Sequence, residues 1–404
     1  MGHCLNKYIN KRPNNYLYIE INNKYYPGKI GIFDRAICKK FEHRCQMEVH
    51  YVNFNVPWKI AQKVTTVNII NIITKSKQVF NVSKESANSK PFNGLTICVP
   101  ILYWYNNWLQ MFLFLENWYR EGNAKIILYY KSLSPEVYNL LRYYVKIKLV
   151  ILYPVSNYPI KESMNPANLT HGMGSKIFLN TCMYKMNSKY ISVMDIDEYF
   201  YIYSKNKKKQ KILNFIKSAI SRQPNKNFFN FESFHISYKN TIIDPSFNFH
   251  KKAYLSIDKK NVLGKSVMLT NKISHFGFHI PQFEKLSDGY RFSSNQAILL
   301  HARSNYILKK TKKLPEIEII NENERKNLNR RYILVEKQIN MSLPFVYGPA
   351  MEKHLESCIS MKARLKARVC FVIYDKCKNI MDKISKWIYS EDDLINYKNF
   401  TVFN

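Results

Sequence analysis

From residue 94 onward the chain alternates short apolar runs with longer segments of helical periodicity. Leu95-Thr96-Ile97-Cys98-Val99 is apolar almost throughout and stops at Pro100, the pattern of a buried strand. Trp108, Met111, Phe112, Leu115 and Tyr119 recur at three- and four-residue steps, which predicts an amphipathic helix over 108–120 that ends before Gly122. Lys125–Tyr130 reads as a second buried strand. Ser134-Pro135-Glu136 opens a second helix, with serine as the cap and proline in the first turn, running to about Tyr144. Lys148–Tyr153 is a third strand, Gly174–Asn187 a third helix, and Tyr190–Met194 a fourth strand. Strands and helices in alternation predict a mostly parallel sheet flanked by helices, joined by right-handed crossovers.

The flanks read differently. Residues 1–93 carry frequent Pro, Asn and Lys, with strand-like pieces at Tyr16–Ile21 and Glu48–Val52, and suit a stem or accessory β region. A polar stretch, Ser83–Asn93, links it to a central domain over 94–312. Residues 313–404 have helical composition at Glu316–Lys337 and Met351–Ile373, a helical C-terminal region in which Met361–Arg368 is a solvated basic face.

Composition narrows the chemistry. The 404 residues are 46% hydrophobic, enough for a sizeable core, and 15% aromatic, with 30 Tyr and 24 Phe. Only 11 glycines occur, and neither a Walker loop nor G-x-G-x-x-G is among them. The net charge of +33 suits an anionic partner, but the lysines are spread along the chain and are densest only at Lys207–Lys209. No zinc-finger spacing or RNA-reading segment supports a basic nucleic-acid-binding protein, so no nucleic-acid partner is expected. Eight cysteines without a C-x-x-C pair argue against structural zinc and permit disulfides. Sequons at Asn81, Asn168, Asn340 and Asn399 lend slight support to a secretory location. Met1–Arg12 has no apolar core, and the uncharged stretch Pro91–Leu115 is broken by Pro100 and Asn106-Asn107, so no membrane anchor is legible.

The fourth strand runs directly into Asp195-Ile196-Asp197-Glu198. Open α/β sheets bind ligands beyond the carboxyl ends of their strands, so these acids stand where chemistry is expected. Two aspartates one residue apart can hold a hard cation, Mg²⁺ or Mn²⁺, against the diphosphate of a nucleotide sugar. In an extended segment both would face the same side; a solvated acidic turn is the alternative.

Residues 94–310 resemble glycosyltransferase family 92, well represented in nematodes. The likeness rests on Pro100, Trp108-Leu109, Leu115-Glu116, Gly122-Asn123-Ala124 and Tyr129-Tyr130. It continues through Cys182 and Tyr184, DIDEYF, Gly264-Lys265-Ser266, Lys272-Ile273 with His279, and His301-Ala302-Arg303. The resemblance implies a GT-A-like α/β fold with a nucleotide-sugar half and an acceptor half. It implies metal-dependent, inverting hexosyl transfer, with galactose moving from UDP-galactose to a glycan or glycoprotein, in enzymes usually anchored in the Golgi membrane. An inactive carbohydrate-binding relative is the alternative function.

By analogy with GT-A enzymes, Asp197 ligates the metal, and Asp195 contacts the ribose or shares the ion. Glu198 orients either acid or caps the next segment. His279 is the first choice for a third ligand and His301 the second, each with a plain packing role as its alternative. Lys265 reaches the diphosphate or lies on the surface. Tyr103 or Trp104 stacks on the base or packs in the core. An inverting transfer needs a base near the acceptor hydroxyl; Glu232 and Asp288 are the guesses.

Overall fold

The computed structural model describes residues 16–32, 49–82, 91–155, 171–203, 211–240, 242–256, 264–273, 275, 288–302, 314–343, 345, 358 and 374–391. The basic run Lys207–Lys209, His279, Asn168, Asn399, Met361–Arg368 and, apart from Cys358, the segment Met351–Ile373 lie outside them.

The N-terminal region forms its own antiparallel sheet. Strands β1 (Leu17–Ile21), β2 (Lys24–Ile32), β3 (His50–Phe54), β4 (Thr66–Asn71) and β5 (Ser76–Asn81) lie in the order β3-β2-β1-β4-β5. Its small core is Ile19, Ile21, Val64 and Val67. Tyr51 of β3 packs on His275, ring centroids 4.2 Å apart, which joins this sheet to the rest of the molecule.

The central region begins at β6 (Phe92–Cys98). It continues through α1 (Trp108–Glu121), β7 (Ala124–Tyr130), β8 (Ser132–Leu133), α2 (Pro135–Lys146), β9 (Val150–Pro154), α3 (Ser175–Lys185) and β10 (Ser188–Val193). Every strand and helix expected between 94 and 194 is present, within a few residues. Local chemistry accounts for the helix ends. The Asn107 side chain accepts from the Gln110 N–H at 3.0 Å, and Ser134 caps α2 through the Val137 N–H. Gly122 stops α1 at φ 63°, a conformation glycine adopts without steric cost.

β10, β6, β7 and β9 are parallel neighbours in that order, as the alternation of strands and helices requires. Beyond β10 the sheet becomes mixed. It adds β11 (Glu198–Ile202), β12 (Phe228–Tyr238), β13 (Lys252–Leu255), β14 (Lys265–Leu269), β15 (Gly289–Arg291), β16 (Ala297–His301) and β17 (Glu316–Glu318), with α4 (Ile212–Arg222) between β11 and β12. The main path reads β11-β16-β12-β14-β10-β6-β7-β9. β14 is antiparallel to β10 and β12, while β16 is parallel to β12.

One core holds α1, α2 and α4 against the sheet through Phe112, Phe114, Leu140 and Ile216. A second contains Cys98, Ile127, Leu179, Cys182 and Ile191 from β6, β7, α3 and β10, and a disulfide joins Cys98 to Cys182. Helices thus cover the large sheet, giving the expected α/β layout. The helix expected from Glu316 starts later, as α5 (Glu322–Ile339). Glu316–Glu318 instead pairs with β13, where Lys239 and Lys252 both contact the Glu316 carboxylate. The capping box of Asn321 and Glu324 then starts the helix. Arg331 on α5 makes a two-pronged contact with buried Glu116 on α1 at 2.8–3.1 Å. The last described elements are α6 (Tyr374–Ile384) and β18 (Ile388–Tyr389).

Candidate active site

The connection from β6 passes to β7 and β9 on one side, whereas β10 lies on the other. The sheet therefore reverses its winding between β6 and β10. Their carboxyl ends splay apart at such a switch point and leave a crevice for ligands. Asp195 and Asp197 follow β10 at this point.

The acidic segment is a tight turn rather than an extended strand. Glu198 donates its N–H to the Asp195 carbonyl at 3.1 Å. The Asp195 N–H in turn donates to Glu198 Oε2 at 2.9 Å. The same-side geometry that an extended segment would give therefore does not apply, and the turn brings the two aspartates to different partners. Asp195 Oδ2 accepts from Lys265 Nζ at 2.9 Å, and Asp197 Oδ2 lies 3.0 Å from His301 Nε2. Pairing of Glu198 with His301 across β11 and β16 brings His301 to the turn. The bond from the Ala302 N–H to the Asp197 carbonyl, at 2.8 Å, fixes it there.

Lys265 is the buried centre of the arrangement. Its side chain is 1% exposed, against 3% for Glu198 and 44% for Asp195, and its ammonium also lies 3.5 Å from Glu198. Burial opposes a charged lysine, but the Asp195 and Glu198 carboxylates outweigh it and hold the ammonium above its ordinary pKa. Burial raises the Glu198 carboxyl to about 7, against the pull of Lys265. Burial likewise opposes the protonated form of His301, and the bond and charge of Asp197 more than restore it, so its pKa rises. Of the two readings of Lys265, the surface one is ruled out by its burial. It reaches the aspartate turn, and its contact with the donor would run through Asp195.

The remaining expected residues divide. Tyr103 stands half-buried in the loop after β6 and meets Tyr374 edge-on at 6.4 Å; burial raises its phenol pKa. Trp104 packs in the core. Glu232 is not brought to the turn. Strand alternation places it on the face of Phe234 and Ile236, which share a core with Ile298 and Leu300, while Phe231 packs on the opposite face. That face also carries His235, whose ring lies 4.8 Å from His301. Asp288 is at the far end of β12, where its backbone carbonyl accepts from the Asn227 N–H at 2.7 Å. His279 lies outside the described residues. Sequence reasoning missed His235 and the ion-pair role of Glu198. The alternation of FNFESFHISY into a single long strand was the available signal for His235.

Among the described residues no group of three or more His, Cys, Asp or Glu side chains gathers around one point. Two partly exposed carboxylates still fit Mg²⁺ or Mn²⁺ in donor chemistry. Such ions are commonly held by one or two carboxylates with phosphate oxygens and water completing the shell. A cavity of about 430 Å³ lies elsewhere, between α1 and α5, lined by Leu113, Asn117, Arg120, Leu328 and Arg331. It contains neither aspartate, and the switch point, where strand ends and acids coincide, is the better candidate.

The mixed α/β fold and the acidic turn are compatible with a sugar-transferring enzyme, and the family comparison supplies the class. The pattern of glycosyltransferase family 92 matches residues 93–340, well over half the chain. The chain belongs to glycosyltransferase family 92 and is a glycosyltransferase. No curated protein matches it. Among solved structures it is similar to S. aureus TarS 1–349 in complex with UDP, at 10% identity and a TM-score of 0.30, over 75% of this chain and 89% of that one. It is also similar to the mannosyltransferase PcManGT from Pyrobaculum calidifontis in complex with GDP-Man and Mn²⁺. There the identity is 12% and the TM-score 0.29, over 73% and 89% of the two chains. Likenesses this slight carry no argument about substrate or metal.

Proposed function

We propose that this glycosyltransferase moves galactose from UDP-galactose to a glycan acceptor, inverting the anomeric centre, with Mn²⁺ or Mg²⁺ at Asp195 and Asp197. The observation that carries this reading is the aspartate turn at the β6/β10 switch point, held from one side by Lys265 and from the other by His301. The metal, when bound, supplies Lewis-acid neutralisation of the leaving nucleoside diphosphate. Asp197 is the principal ligand and Asp195 shares the ion or the ribose. Lys265 holds Asp195, and His301 orients the Asp197 carboxylate. Tyr103 stands at the rim for the base. Glu232, on the opposite face of β12 from His301, is not placed to serve as the acceptor's base.

A secretory-pathway location, in the Golgi membrane or lumen, accompanies this reading. The disulfides Cys98–Cys182 and Cys358–Cys377 suit an oxidising lumen. Among the described residues no helix is long and apolar enough to cross a membrane.

The test is hydrolysis of and transfer from UDP-galactose with Mn²⁺, comparing the parent with Asp197→Ala. Turnover should require the metal, stop on chelation, and fall by roughly 100-fold or more in the variant. Undiminished turnover in Asp197→Ala would remove the site assignment. Turnover only with another nucleotide sugar would replace the donor.

A further inference from the structure

Residues 374–391 lie past the family-matched span, yet they pack at the carboxyl end of the parallel strands, where the donor is proposed to bind. Tyr374, Cys377 and Met381 of α6 are buried in the core that holds Cys98, Ile127 and Ile191. β18 pairs with β8, Ile388 opposite Leu133 and Tyr389 opposite Ser132. Ser390 then donates its N–H to the Lys131 carbonyl at 3.0 Å and its hydroxyl to the Val155 carbonyl at 2.6 Å. Glu391 forms an ion pair with buried Lys131. These contacts close over the carboxyl ends of β7 and β9, at the same end of the parallel strands as Asp195.

The other side of β8 is taken by the loop that follows β6. Trp104 donates its N–H to Ser132 Oγ at 2.8 Å, and the Ser134 N–H reaches the Tyr105 carbonyl at 3.0 Å. Trp104 has φ 52°, a left-handed conformation that is strained for a non-glycine residue and persists only where the surroundings impose it. Its ring stacks on Tyr374 at 5.0 Å and meets the edges of Trp387 at 5.1 Å and Tyr389 at 6.0 Å. Its indole N–H is buried without a hydrogen-bond partner among the described residues. Packing by the C-terminal segment, more than side-chain hydrogen bonding, therefore holds the indole. Tyr103, the rim residue, is next in the chain and also touches Tyr374.

We propose that residues 374–391 act as a strap that positions the Ile101–Tyr105 loop for the donor, so that nucleotide affinity depends on a segment outside the family-matched span. This rests on the donor reading above. With the strap detached, Trp104 loses its stacking partners, its left-handed backbone relaxes, and Tyr103 leaves the rim. The donor then binds only the fraction of molecules whose loop is correctly placed, and the apparent Kd rises by the inverse of that fraction.

The experiment measures UDP affinity in Mn²⁺ by calorimetry, with donor KM and kcat, for the full chain and for Trp387→Ala and Glu391→Gln. Asn321→Ala, which removes the distant cap of α5, controls for loss of stability alone. If a tenth of the molecules stay competent, Kd and KM rise about tenfold in Trp387→Ala, with kcat changed far less. Glu391→Gln preserves shape, should fold, and should show a smaller rise in the same sense; Asn321→Ala should leave Kd at the parent value. UDP binding within twofold of the parent in both strap variants would overturn the inference, as would an equal rise in Asn321→Ala. A parent that binds no UDP at all would instead remove the donor reading, and the strap's role with it.

Discussion

Lys265 is a buried cation whose two carboxylate partners differ sharply in exposure, and this fixes what its loss should do. Glu198 is nearly inaccessible, so removing the ammonium leaves its carboxylate poorly compensated, whereas Asp195 can turn towards water. Breaking a buried pair by deleting one partner costs far more than the net worth of the pair. Lys265→Met should destabilise the chain by about 3 kcal/mol in urea unfolding, and adding Glu198→Gln should recover part of the loss. A single variant as stable as the parent would show that the ion pair does not form in solution. Asp197 and His301 have an analogous relation at the outer end of the turn, where both side chains are partly exposed.

At the scale of elements, the site depends on how closely β14 approaches β12. A Cβ on Gly264 would lie 1.7 Å from the Phe231 carbonyl oxygen, so only glycine lets the strand carrying Lys265 reach its place. Gly264→Ala should cost about 1–3 kcal/mol, the range for forcing extra volume into a packed interior. It should also displace Lys265 from Asp195, read as lower stability together with a changed metal requirement. Unaltered values for both would mean that β14 shifts freely. Gly264-Lys265-Ser266 was visible as a motif. Its role was not, because the opposing strand lies more than thirty residues away in sequence, and no local pattern reports that approach.

For the whole molecule, the two helical faces of the sheet are secured by different means. α5 is held to α1 by Arg331 and Glu116, while α3 is tied to β6 by the Cys98–Cys182 disulfide, both cysteines fully buried. Loss of a native disulfide commonly costs about 2–5 kcal/mol. Reductant should lower the midpoint of thermal unfolding, and Cys182→Ser, which removes one of the two disulfides among the described residues, should reproduce part of that fall without reductant. A midpoint unmoved by either treatment would argue that the sulfurs are not joined in solution. Because α3 leads directly into β10, such a loss should also weaken donor binding.

The sequence by itself determined the parallel half of the sheet, its helices, their caps and the placing of an acidic pair beyond a strand. Those features follow from periodicity and local hydrogen bonding within a few residues, as in Ser134-Pro135 and the apolar run ending at Pro100. The family's motifs added Lys265 and His301 as residues of interest. Only the tertiary structure decided what they touch. It turned Asp195 towards Lys265 and Asp197 towards His301, placed His235 beside the site and set Glu232 on the other face, although one strand supplies both. The reason is physical: strand alternation says that neighbouring side chains part company, but which face meets the acids is fixed by pairing among β11, β12, β14 and β16. Those pairings join residues up to about a hundred positions apart. The packing of Tyr374 and Trp387 on Trp104 belongs to the same class, because contacts across such distances leave no local trace.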